Sequence, residues 1–131
     1  MDTGYMLRDA KTGRILSVST AVARKWRHRL LGLLGRKTLG SDEALLLLNT
    51  NSIHTWFMRF SIDVVFLDEC LAVIRAESGL APFRSAACPG AAHTLEIPAG
   101  RWARWGVPEG TLLVMEKAGR AVSPVPSGVA E

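Results

Sequence analysis

The sequence predicts an α+β fold. A single domain carries a largely antiparallel sheet that curls toward a small barrel, with one early amphipathic helix and one short late helix. Three observations lead there. From Glu43 onward short strand-like segments follow one another directly. Helical character is confined to one stretch before them and one short stretch near the end. The 131 residues suffice for one hydrophobic core without disulfides or metals. Strands that succeed strands favour antiparallel pairing over an alternating βαβ arrangement.

In order along the chain, "YMLRDAKTGRILSV" reads as a hairpin, because two apolar stretches flank "DAKTG" and Gly13 can take the positive φ of a tight turn. A helix is expected next. Ser19 or Thr20 would cap it, Val22, Trp26, Leu30 and Leu33 would form its apolar stripe, and Gly35 would end it. Its other face carries Arg24, Lys25, Arg27, His28 and Arg29. Six of the sixteen Lys and Arg residues fall between Arg24 and Lys37. Solvation accounts for such a face on any surface helix. Contact with an anionic membrane surface is the sharper option, while nucleic acid is disfavoured because no recognition motif accompanies the patch.

The strand candidates are "EALLLL", "IDVVFLD" and "LAVIRAE", the last two joined as a hairpin through "DEC". "GLAPFRSAACPGAA" reads as a loop punctuated by Pro and Gly. "HTLEI" is a further strand. "PAGRWARWG" is a short helix, with Pro98 in its first turn and Gly106 at its end. "TLLVME" closes the domain, which spans 1–116, and 117–131 reads as a frayed tail.

At 48% hydrophobic and 21% charged, with a net charge of +4, the composition is globular. The longest apolar run, Ala44–Leu48, is far short of the roughly 20 residues of a membrane helix. The N-terminal stretch lacks the apolar core of a secretory signal, so a soluble cytoplasmic protein is expected. Cys70 and Cys88 match no zinc or redox spacing and are expected to be reduced.

The chemistry-bearing residues gather in "NSIHTWFMRFSIDVVFLD". If 62–67 is a strand, Asp63 shares a face with Val65 and Leu67, which places a carboxylate in or beside the core. Such a charge is costly unless it is paired. Arg59 lies four residues away, about 13 Å along an unbroken strand, so direct pairing requires a bend near Phe60 and Ser61. His54 has the opposite parity to both and needs the same bend to meet Asp63. His54, His93, Asp63 and Glu96 could ligate a metal, yet they form no compact ligand motif. No phosphate-binding loop and no nucleophile elbow is present. No metal or cofactor is expected.

"RLLGLLGRKTL", "EALLLL", "NSIHTWFMRFSIDVVFLD", "LAPFR" and "HTLEIPAG" together resemble domain of unknown function family 192, small prokaryotic proteins of uncharacterised activity. The resemblance runs from about Thr20 to about Val114. Gly32, Leu33 and Arg36 match the family's G-L-x-x-R element, and Met58, Ile62 and Asp63 match its second motif. Ser61 stands where relatives carry a proline, and Cys70 where they often carry a glycine or another small residue. The resemblance implies a compact domain of mixed β and α structure and no particular reaction.

The functional expectation is therefore a non-enzymatic binding or accessory domain. Arg36, His54, Arg59, Asp63 and Arg84 would line a polar cleft for an anionic small molecule or a carboxylate-bearing peptide, with Asp63 orienting an arginine. Two alternatives stand beside it. One is an enzyme using His54 and Asp63 in acid–base chemistry, and the other a membrane-surface adaptor acting through the basic helix.

Overall fold

The computed structural model describes residues 2–24, 38–56, 58–117 and 120–122. These residues form ten strands and one short helix. The strands are β1 (Asp2–Asp9), β2 (Ile15–Ala23), β3 (Glu43–Leu47), β4 (Ser52–His54), β5 (Ile62–Leu67), β6 (Val73–Leu80), β7 (Ser85–Ala87), β8 (His93–Pro98), β9 (Leu113–Lys117) and β10 (Arg120–Val122). The helix, α1, is Arg101–Trp105.

This corrects the α+β expectation: the described residues are nearly all β. Ser19–Ala23, the expected start of the early helix, belong to β2. Arg24 of the basic face follows β2 as an exposed residue whose guanidinium donates to Asp2 Oδ2 at 3.4 Å, and the remainder of that helix, 25–37, lies outside the described residues. The strand wins at 15–23 for a physical reason. Val18, Thr20 and Val22 are β-branched, and the segment is hydrogen-bonded on both sides, to β1 and to β3. The late helix forms, with Gly100 and Gly106 as its left-handed caps, although Pro98 ends β8 rather than starting the helix. β10 adds to β9 within the stretch read as a tail.

Eight strands make one sheet in the order β10-β9-β1-β2-β3-β8-β5-β6. All neighbours are antiparallel except β2 and β3, which pair in parallel from Ser19↔Glu43 to Ala23↔Leu47. The sheet closes on itself. Ala72 bridges Leu112, the Val73 N–H donates to the Thr111 carbonyl at 2.9 Å, and the Leu113 N–H donates to that of Leu71 at 3.0 Å. One core fills the resulting barrel, drawing Leu7, Val22, Leu46, Val65, Leu95 and Met115 from strands all round it. The helix α1 lies against one end, where Trp105 is buried and Trp102 packs edge-on to it, ring centroids 6.2 Å apart.

A second core lies outside the barrel. Leu45 and Leu47 of β3 and Ile62, Val64 and Phe66 of β5 face outward, and a flap made of β4, β7 and their loops covers them with Ile53, Met58, Ala86 and Cys88. Strand β5 is therefore buried on both faces, which explains its unbroken apolar texture. Arg75 ties the flap down: its guanidinium donates to the Ala87 carbonyl and lies 5.3 Å from the Phe66 ring centroid.

Candidate ligand-binding face

Asp63 sits on the barrel-facing side of β5 with Val65 and Leu67, as strand alternation requires, and is 0% exposed. Among the described residues its partners are backbone amides, not an arginine. Oδ1 accepts the Gly79 N–H at 2.8 Å and Oδ2 accepts the Trp102 N–H at 2.9 Å. The carboxylate thus joins β5, the end of β6 and the first turn of α1. The chain does bend at Arg59 and Phe60, yet Arg59 does not turn inward; it is exposed, with no partner among the described residues. The expectation that Asp63 orients an arginine toward a cleft is corrected accordingly. Backbone donors can satisfy a buried carboxylate without bringing in a second charge.

His54 lies on the flap. Ile53 and Ala86 face each other across β4 and β7 and point into the outer core, so their neighbours His54 and Ser85 point outward. The His54 Nδ1 accepts the Trp56 N–H at 3.4 Å, and the two rings lie 5.3 Å apart. No hydrogen bond connects His54 with Asp63, so the fold does not assemble that acid–base pair.

Thr55 organises the flap loops and is fully buried. Its N–H donates to the Arg84 carbonyl at 2.8 Å, and its own carbonyl accepts the N–H groups of Met58 and Phe83 at 3.2 and 3.1 Å. Its hydroxyl donates to the Ala81 carbonyl and accepts the Arg84 N–H at 3.0 Å. This knot holds Phe83 at a left-handed φ of 61°, a conformation uncommon for a bulky side-chain-bearing residue. Trp56 and Phe83 consequently stand 54% and 59% exposed on adjoining loops. Arg84 is exposed, and among the described residues its guanidinium donates only to the Phe83 carbonyl, at 3.3 Å.

Of the five residues expected to form a site, His54, Arg59 and Arg84 thus belong to the flap and its loops. Asp63 is spent inside the barrel end, and Arg36 lies outside the described residues. Sequence reasoning missed Thr55, Trp56 and Phe83. Phe83 carried a signal, since an aromatic after Pro82 in a turn-rich loop has no strand or helix to bury it. Thr55 carried none, because its hydrogen bonds reach residues 26 to 29 positions away.

Two further buried polar groups lie on β8. Glu96 faces the outer core opposite Leu45 and Val64. His93 faces the barrel, where its Nδ1 accepts the Asn49 N–H at 2.9 Å. Burial lowers the His93 pKa below its ordinary 6.5, against the opposing pull of Asp68 and Glu69. Among the described residues no three His, Cys, Asp or Glu side chains converge as a metal site would require, and no helix is long and apolar enough to cross a membrane.

The family model described as Uncharacterized ACR matches residues 7–115. No curated protein matches the chain. Two crystal structures share the fold. A Sinorhizobium meliloti 1021 protein, described provisionally as a transcription regulator, has a TM-score of 0.72 and 22% identity over 89% of this chain and 94% of its own. A Novosphingobium aromaticivorans DSM 12444 protein of unknown function has a TM-score of 0.68 and 19% identity over 83% and 81%.

Proposed function

This chain belongs to domain of unknown function family 192, and we propose that it is a non-enzymatic binding domain whose flap takes a carboxylate-bearing peptide. One observation supports the reading: the Thr55 knot ties together the backbone of two loops that carry the exposed aromatics Trp56 and Phe83 as well as Arg59 and Arg84, next in sequence to His54. Arg59 and Arg84 offer planar forks of donors suited to a carboxylate. His54 adds a ring nitrogen, its Nδ1 being occupied by Trp56. The aromatic rings supply apolar contact area at little entropic cost, as in paratopes. Because the loops are already hydrogen-bonded, binding orders little chain.

The test is backbone-amide NMR with a pool of aromatic hexapeptides bearing a free C-terminal carboxylate, against the same pool amidated. Saturable shifts at residues 53–59 and 82–86 are expected for the free acids. Amidation, Arg84→Ala and Arg59→Ala should each weaken binding roughly tenfold, the scale of one charge-assisted hydrogen bond. Equal binding of both pools would overturn the reading. So would shifts confined to other residues, or a preference for single-stranded DNA over both pools.

A further inference from the structure

The β1–β2 turn and the segment between α1 and β9 enclose a cleft of about 710 Å³, lined by no residue of the flap or its loops. We infer that this cleft is a second ligand site, for a small amphipathic monoanion with an apolar body and one carboxylate. It is independent of the flap. Its volume falls in the range of small-molecule sites, roughly 300–1,000 Å³.

The walls say what would fit. Trp105, Val107, Pro108 and Leu112 supply apolar surface, and Lys11 and Arg14 supply positive charge. Leu112 is 44% exposed, a large apolar side chain left in water where the cleft opens. Trp105 is only 3% exposed, and its indole N–H is buried without a hydrogen-bond partner. An orphaned donor of this kind is uncommon in a folded protein.

The charges are unequal in what they have left to give. Arg14 donates to the carbonyls of Arg104 and Trp105, covering the negative end of α1. Lys11 has no ion-pair partner among the described residues and remains for an incoming anion. Asp9, the carboxylate among the lining residues, is buried, and its Oδ1 accepts the Lys11 N–H at 2.9 Å. Two cations without a glycine-rich phosphate loop suit one carboxylate better than a polyphosphate.

The cleft is also preformed. The Ala10 N–H donates to the Leu112 carbonyl at 2.9 Å, tying one wall to the other. The Gly13 N–H closes the turn onto the Asp9 carbonyl at 2.8 Å, and the Thr111 hydroxyl holds the Pro108 carbonyl at 2.7 Å. A ligand would enter without reorganising either wall.

The experiment titrates the protein with 4-phenylbutyrate and with its neutral counterpart 4-phenylbutanol, following backbone amides and the Trp105 indole N–H by NMR. Saturable shifts at residues 9–14 and 105–112 are expected with the acid, and roughly tenfold weaker binding of the alcohol. Lys11→Gln should weaken the acid roughly tenfold and leave the alcohol unchanged. Leu112→Ser should weaken both. No saturable shift up to about 10 mM acid would overturn the proposal, since weaker binding carries little selectivity. Equal affinity for acid and alcohol would overturn it too, as would shifts confined to residues 53–59 and 82–86.

Discussion

The barrel end and the flap draw their charges from the same stretch, Asn51–Asp68, and use them in opposite ways. Asp63 points into the barrel, loses all contact with water and gives both oxygens to backbone N–H groups of two other elements. His54 and Arg59, a few residues earlier, point away from the outer core and keep donors to spare. Position in the fold, on a doubly buried strand or on the flap and its loops, decides between these fates. A charge on a strand buried on both faces has only internal work available, whereas a charge on a loop beside exposed aromatics can serve a partner.

The sharpest way to break this division is Asp63→Asn. The amide keeps one accepting oxygen but turns an NH₂ toward the other backbone N–H, leaving a buried donor unsatisfied. Unfolding in urea should show a loss of about 3 kcal/mol, with peptide affinity of the folded fraction unchanged. A stable Asn variant, or a folded one that no longer binds, would dissolve the distinction between scaffold and site.

Thr55→Val sharpens the comparison from the flap side. It removes the hydroxyl that serves Ala81 and Arg84 and should cost about 2 kcal/mol. Amide hydrogen exchange should accelerate at residues 55–60 and 81–85 more than in β5 or β8, because the flap can open without the barrel. Uniform acceleration would mean the two regions unfold as one.

Inside the barrel, His93 predicts an acid sensitivity. Well above pH 6.5 it is neutral whether the chain is folded or not. As the pH falls below 6.5 the unfolded chain takes up a proton that the buried ring resists, so stability falls until the lower folded pKa is passed and then levels off. Urea midpoints across that range should decline for the parent more steeply than for His93→Gln, whose oxygen can still accept the Asn49 N–H. Parallel slopes would place the sensitivity elsewhere.

Arg59→Ala and Arg84→Ala should have the smallest effect on stability, within about 0.5 kcal/mol, because both side chains are exposed. On the proposed function their effect belongs to ligand affinity. A substantial drop in Tm from either would make it part of the scaffold.

Several strands were legible in the sequence, because short apolar runs between turn residues mark β1, β3, β5, β6, β8 and β9 locally, although the nearly all-β class was not. The burial of Asp63 followed from parity alone. Its partners did not, since Gly79 and Trp102 are brought to it by sheet pairing and by α1. Ser19–Ala23 misled because Ser and Thr resemble helix caps wherever an apolar stripe follows, and only pairing with two neighbouring strands shows otherwise. β4 and β7 escaped notice because a three-residue strand is too short to show a period. The exposure of Trp56 depends on the Thr55 knot, whose partners lie far along the chain.

The pairing of β1 with β9 has a kinetic corollary. Tyr5 lies opposite Lys117 and Asp9 opposite Leu113, so an early strand finds its partner only when a late one exists. During synthesis at about 5–20 residues per second, roughly 5–20 s separate the emergence of these two strands. Through that interval the β1–β2 hairpin presents an open edge to any other nascent chain, and loop closure over such a distance is slow even after release. Strengthening the contacts of β9 with β1 should therefore hasten maturation of the protein in a cell more than an equal gain of stability in the flap.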